Sequence, residues 1–166
     1  MLEILLKRHK LLQDLFKKLE FLRDNFNFNH SKPFYDELVR IGEDLKLETD
    51  YHFYLQDEAV SPISNETKKL VKENMLVRDI LLRMLNRMIE EGRAENPKAF
   101  QEIGDIGEIL SAYLKKERGL FRQQLEAVTT PQQRAQIDEI LKVLEGKELS
   151  EEKSVLEKGK VAVERE

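Results

Sequence analysis

Four polar side chains able to bind a metal or hold a proton each lie inside an apolar stripe of a predicted helix. They interrupt the stripes of the first, second, third and fourth helices in turn: His9, His52, Asn74 and Glu117. Because apolar stripes of helical period face a core, we expect these side chains to point inward. Helical bundles build metal and cofactor sites from side chains on facing helices. The sequence therefore predicts a buried polar cluster as the candidate functional site.

The stripes that would position these residues follow three-and-four spacing. In chain order they are Leu2, Leu5, Leu12, Phe16 and Leu19; Phe34, Leu38, Ile41, Leu45, Leu55 and Ala59; Leu70, Val77, Leu81, Met84 and Met88; and Ile106, Leu110, Tyr113 and Leu120. Glu48 lies in the second stripe, one turn before His52. It is either a substitute ligand or a solvated carboxylate at the edge of the helix.

The composition describes one helical domain. The chain has 166 residues, 36% of them charged, with seven Gly, four Pro and no Cys. This length supports a single core, and the composition favours helices. The lack of Cys excludes disulfides, thiolate metal sites and Cys nucleophiles.

Charge and hydropathy limit the classes of partner. The net charge is -4 with the basic residues dispersed, which argues against a nucleic-acid partner. No apolar run approaches the roughly 20 residues of a membrane span. Glu3, Lys7 and Arg8 interrupt the apolar start too early for a signal peptide. We expect a cytoplasmic protein with no membrane partner, while a protein partner or a homo-oligomer stays open.

Prolines mark the predicted helix boundaries. Pro97 follows Asn96 and Pro131 follows Thr130, which is the order of an N-cap and a first helical position. Thr130 and Gln133 also fit a capping box. The predicted helices cover residues 2–24, 33–60, 65–92, 97–127 and 131–145.

Short connections between helices make sequential helices antiparallel neighbours. The predicted fold is therefore all-α: an antiparallel up-down-up-down four-helix bundle with a short fifth helix, over residues 1–145. Gly146 is predicted to end the fifth helix, which leaves residues 146–166 as a charged C-terminal tail. Residues 160–164 alternate like a strand but are too few to assign.

The chain also carries an internal similarity. A shift of 65 residues lays the first helix on the third and places His9 on Asn74. A shift of 60 lays the second helix on the fourth and places His52 on Ala112. A duplicated helical hairpin with a two-fold-related core site would produce this relation.

Four local motifs occur in a fixed order. Residues 6–12 hold a His in a leucine-rich turn, and residues 52–62 hold a His, a polar residue four positions on, an apolar pair and a Pro. Residues 73–78 form an Arg-containing apolar run, and residues 112–121 repeat the second pattern. In order and spacing the chain resembles the hemerythrin-like, or HHE cation-binding, family over about residues 1–145.

The resemblance implies a di-iron site from which this chain departs. Family members hold two bridged irons with His and carboxylate ligands. The ligand positions that keep their residue types are His9, His52 and Glu117. Gln56 stands at the position of a bridging carboxylate. The positions of the remaining His ligands hold Asn74, Arg78 and Ala112. One half-site is therefore kept and the other lost.

Two interpretations follow from this ligand set. Two His and one carboxylate suit a single Fe, Mn or Zn ion, in a binding or sensing protein that does not carry oxygen. Alternatively the cluster is a metal-free hydrogen-bonded network in a structural or adaptor bundle. Arg78 is predicted to replace the lost metal charge by pairing with Glu117. No glycine-rich phosphate loop or catalytic triad is present, so we expect no enzyme.

Overall fold

The chain folds into helices joined by short connections. The computed structural model describes the backbone of residues 1–164 and the side chains of residues 1–148 and 150. This part of the chain is all-α and contains no strand. Its helices are α1 (Glu3–Asp24), α2 (Ser31–Ala59), α3 (Asn65–Arg93), α4 (Lys98–Lys116), α5 (Arg122–Val128) and α6 (Pro131–Glu164). A π-helical turn (Glu117–Phe121) connects α4 directly to α5, and 3₁₀ turns (Phe28–His30 and Ser61–Ile63) flank α2. Among the described helices, none has a stretch long and apolar enough to cross a membrane.

Side-chain caps account for two of the helix starts. Ser64 and Thr67 form a capping box at the start of α3. The predicted box at α6 is confirmed, because Gln133 N–H donates to Thr130 Oγ1 at 3.1 Å and Thr130 N–H donates to Gln133 Oε1 at 3.0 Å. Such caps satisfy backbone donors that have no partner inside the helix.

The fifth predicted helix is much longer than expected. The prediction that it ends near residue 145 is wrong, because α6 passes through Gly146 and continues to Glu164. A glycine inside a helix lowers its stability without necessarily ending it, and Lys and Glu are good helix formers. The strand-like alternation of residues 160–164 is also helical. The last two residues of the predicted tail, 165–166, lie outside the described residues.

The helices enclose two apolar clusters separated by a polar level. Both α1 and α3 pack against α2 and α4, and α6 packs against α1 and α2. The larger cluster includes Leu12, Leu19, Leu38, Leu45, Phe53, Leu81, Leu85, Leu110, Tyr113 and Leu114. The smaller cluster includes Leu2, Leu5, Leu55, Val60, Val71, Phe121, Leu125, Ile137 and Leu141. The buried polar residues between the two clusters come from α1, α2, α3 and the π-helical turn: His9, His52, Gln56, Asn74 and Glu117.

Two glycines of α4 differ sharply in their surroundings. A Cβ atom at Gly107 would lie 2.2 Å from Cζ of Phe16, whereas a Cβ atom at Gly104 would meet nothing within 4 Å. Gly107 is therefore the point where α4 approaches α1 closely, and Gly104, one turn earlier, is not.

This difference predicts opposite effects of alanine at the two positions. Gly104→Ala should stabilise the protein by about 0.5–1 kcal/mol, because alanine costs less backbone entropy in a helix. Gly107→Ala should destabilise it by about 1–3 kcal/mol, because the Phe16 ring must leave its place against the larger cluster. Denaturant unfolding of both variants measures the difference, and equal stabilisation by the two alanines would contradict the close approach.

Candidate metal centre

Two histidines and one glutamate meet in the polar level of the core. Nε2 of His9 lies 2.9 Å from Oε1 of Glu117, and Nε2 of His52 lies 2.9 Å from both carboxylate oxygens. The exposed fraction is 3% for His9 and 0% for His52 and Glu117. The ligand-capable atoms of the three residues all lie within 4.8 Å of one another. The predicted convergence of these side chains is confirmed.

Each of these side chains owes its place to its helix. On α1, His9 lies between Leu5 of the smaller cluster and Leu12 of the larger one. Positions three and four apart share a helix face, so a core-facing stripe carries its polar member inward as well. Burial of the flanking leucines thus holds the imidazole in the core.

The π-helical turn determines on which face of its helix Glu117 lies. Tyr113, Glu117, Phe121 and Leu125 are all buried, at intervals of four residues. A regular α-helix has 3.6 residues per turn, so an exact four-residue interval would drift round its surface. The wider π turn absorbs part of this drift. It also explains why Leu120, predicted in the stripe, is 52% exposed while Phe121 is buried.

Glu117 is the common acceptor of the site. The hydroxyl of Tyr113 donates to Oε2 at 2.5 Å, and Nε2 of Gln56 donates to the same oxygen at 2.6 Å. Gln56 also donates to the Tyr113 hydroxyl. Together with the two imidazoles, four side chains aim donors at one buried carboxylate.

These donors keep Glu117 ionised. Burial acts to raise its pKa, but attraction by His52 and hydrogen bonds from both histidines outweigh it. The pKa of Glu117 is therefore lowered from its usual value of 4.5. Burial and the neighbouring carboxylate raise the pKa of Tyr113 well above 10.0, which keeps its hydroxyl a donor.

The hydrogen-bonded network continues beyond the ligand triad. Nδ2 of Asn74 donates to Oε1 of Gln56 at 3.0 Å, and Nζ of Lys116 donates to Oδ1 of Asn74 at 3.3 Å. Asn74 and Gln56 are both 0% exposed. The structure therefore places two of the four predicted supporting residues, Gln56 and Asn74, next to the site.

Among the residues that the structure describes, none is a hydrogen-bond partner of the second ring nitrogen of His9 or of His52. Nδ1 of His9 and Nδ1 of His52 are buried without a hydrogen bond. Since the ionised Glu117 only accepts, Nε2 of each ring carries the proton that it donates. A buried Nδ1 without a partner costs free energy whether it carries a proton or a lone pair.

The other two predicted site residues, Glu48 and Arg78, pair with charged residues outside this hydrogen-bonded network. Glu48 binds Arg8, whose guanidinium lies 2.7 Å from Glu48 and 2.9 Å from Glu148 and stacks over Tyr51. Arg8 thus joins α1, α2 and α6 beside the site, and Glu48 pairs with it there.

The predicted pairing of Arg78 with Glu117 is wrong. Arg78 is half-buried and pairs with its neighbour Asp79 at 3.0 Å. Ala112, at the position of a family His ligand, is exposed. Lys116 joins the network instead, since its Nζ donates to Oδ1 of Asn74.

The donor set of the triad is that of a transition-metal site. Two imidazole nitrogens and one carboxylate oxygen suit Fe(II), Mn(II) or Zn(II) rather than Mg²⁺ or Ca²⁺, which prefer oxygen ligands. His9, His52 and Glu117 could hold one such ion. The chain matches no protein-family model, no curated protein and no solved structure.

Proposed function

We propose that the chain is a hemerythrin-like bundle that binds one transition-metal ion through His9, His52 and Glu117. The observation that carries this proposal is the buried approach of two imidazole nitrogens to one ionised carboxylate. Three protein ligands leave coordination positions for water or a small molecule. A role in binding or sensing fits such a site, and we infer no catalytic turnover.

The order of the two apolar clusters supports an up-down-up-down arrangement. Along α1 and α3 the chain passes from the smaller cluster to the larger one, as Leu5 and then Leu12 show for α1. Along α2, and from α4 into the π-helical turn, it passes from the larger cluster to the smaller one, as Tyr113 and then Phe121 show for the second path. Alternation of this kind is what antiparallel neighbours produce.

The second metal position of the family has no ligands of the required type here. Asn74 hydrogen-bonds to Gln56, Arg78 to Asp79, and Ala112 is exposed. Oxygen carriage by a hemerythrin-like centre uses two irons, so we propose binding of a single ion instead.

Metal binding would require the histidines to change tautomer. Nε2 must give up its proton to bind the ion, so the proton of a neutral ring moves to Nδ1. Metal-bound histidines usually donate this second N–H to an acceptor, but Nδ1 has no partner in either ring. We therefore expect modest affinity, because each buried unpaired donor costs about 1–3 kcal/mol.

The same observation favours a second candidate, a metal-free structural network. The donors that His9, His52, Gln56 and Tyr113 aim at Glu117 are all paired without a metal. A fully connected buried network fixes the register of the helices that share it. Under this alternative the chain is a structural or adaptor bundle.

Metal titration separates the two candidates. We expect wild type to bind one equivalent of Fe(II), Mn(II) or Zn(II), with affinity that falls on acidification because protons compete for the imidazoles. His52→Ala should abolish binding, while His30→Ala, at an exposed histidine, should not change it. Elemental analysis of protein purified without chelator gives the stoichiometry. Two equivalents of iron would contradict the single-ion site, and flat titrations would leave the structural network.

A further inference from the structure

The side chains of Lys116, Asn74, Gln56 and Glu117 form a chain of hydrogen bonds that runs in one donor-to-acceptor direction. An ammonium group can only donate hydrogen bonds, and an ionised carboxylate can only accept them. Lys116 stands at one end of the chain and Glu117 at the other, with the amides of Asn74 and Gln56 between them. Each amide must therefore accept on the side of Lys116 and donate on the side of Glu117.

The orientation of Gln56 follows from this direction. Its Oε1 accepts from Asn74, and its Nε2 faces Glu117 and Tyr113. An amide can bind a metal through its oxygen but not through its NH₂ group. Although Gln56 touches Glu117, it therefore offers the site no ligand atom.

We propose that Lys116 is a positioning residue that keeps Gln56 out of the ligand set, an inference that rests on the proposed metal site. When an ion binds Glu117, the carboxylate accepts a weaker hydrogen bond from Gln56. The hydrogen bonds from Asn74 to Gln56 and from Lys116 to Asn74 then keep the Gln56 amide in its orientation. The ammonium also adds a positive charge beside the site. The fixed orientation of the Gln56 amide limits the site to three protein ligands. The positive charge of Lys116 lowers the affinity of the site for a cation.

The chain offers a matched set of variants for this proposal. Lys116→Met removes the donor and the charge but keeps most of the length of the side chain. Lys116→Arg keeps both donor and charge. Lys115→Met makes the same change of net charge at an exposed neighbouring position.

Two measurements follow, the first of them on chelator-treated protein. In Lys116→Met the side-chain amide protons of Asn74 and Gln56 should exchange with solvent at least about tenfold faster by NMR, because the hydrogen bond from Lys116 to Asn74 is lost. In titrations with Zn(II) alone and Mn(II) alone, Lys116→Met should bind roughly tenfold tighter than wild type. Lys116→Arg and Lys115→Met should resemble wild type in both measurements.

Each outcome has a defined meaning. Unchanged amide exchange in Lys116→Met would overturn the orienting role, and metal binding no tighter than that of Lys115→Met would overturn the effect on the ligand set. Wild type that binds no metal would refute the proposed function instead. The exchange measurement on metal-free protein would then still decide whether Lys116 orients the two amides.

Discussion

Glu117→Gln is expected to destabilise the protein by about 3–5 kcal/mol at neutral pH. The substitution keeps the volume of the side chain, so no cavity contributes to the loss. It replaces a buried acceptor that binds four donors with an amide whose own NH₂ group must face some of them. Denaturant unfolding of chelator-treated protein measures the change. Glu126→Gln, at an exposed position of α5, is the control and should lie within about 0.5 kcal/mol of wild type.

The destabilisation by Glu117→Gln should be larger at neutral pH than at acidic pH. Because folding lowers the pKa of Glu117 below 4.5, the unfolded chain binds more protons than the folded chain in this range. The stabilisation is therefore complete above the unfolded pKa and disappears as the pH falls through the folded one. The gap between wild type and Glu117→Gln should be wide at neutral pH and narrower at about pH 3. A gap that is independent of pH would mean that the ionised carboxylate does not stabilise the fold.

Gln56→Glu should convert the site into one that needs a metal. Nε2 of Gln56 lies 2.6 Å from Oε2 of Glu117, so the substitution puts two carboxylates in contact inside the core. Without metal they must repel or share a proton, and we expect a loss of roughly 2–4 kcal/mol. A bound divalent cation would balance the added charge and gain a fourth ligand.

The measurement is thermal unfolding with chelator and with excess Zn(II) or Mn(II). A ligand that binds the folded state raises Tm by more when its affinity is higher, so the rise on adding metal should be larger for Gln56→Glu than for wild type. Gln101→Glu makes the same charge change on the exposed face of α4 and should show no such gain. A variant as stable as wild type in chelator would argue against the contact between positions 56 and 117.

The apolar stripes were sufficient to predict the buried triad. His9, His52 and Glu117 interrupt apolar stripes of helical period, and a stripe that packs carries such polar residues into the core. The partners of these residues were harder to predict. Tyr113 reads as an ordinary core residue, and only the structure shows that its hydroxyl reaches Glu117.

The cation that joins the network was assigned to the wrong residue. Arg78 stands where the resemblance implies a lost His ligand, so it was predicted to replace the metal charge, yet it is half-buried and pairs with Asp79. Lys116 precedes Glu117 in a run of charged residues that looks solvated. The length of a lysine side chain lets its stem lie along the protein while the ammonium reaches a distant acceptor, and sequence periodicity carries no information on that reach.

The internal similarity between the second and fourth predicted helices fits better with a shift of 61 residues than with the predicted shift of 60. A shift of 60 pairs buried His52 with exposed Ala112, whereas a shift of 61 pairs His52 with Tyr113 and Gln56 with Glu117, all of them buried. Matching by apolar pattern alone does not distinguish two shifts that differ by one residue.

The polar level between the two apolar clusters has a consequence for how the protein opens. Few apolar side chains bridge the clusters, and Met75 is one that packs against both. Proteins exchange their amide hydrogens through local openings that follow cooperative units of structure. We therefore expect the smaller cluster, which contains Ile137 and Leu141 of α6, to loosen while the larger one stays intact. Water would then reach His9 and His52 from one end of the molecule without global unfolding, which gives an otherwise sealed site a route for exchange with solvent.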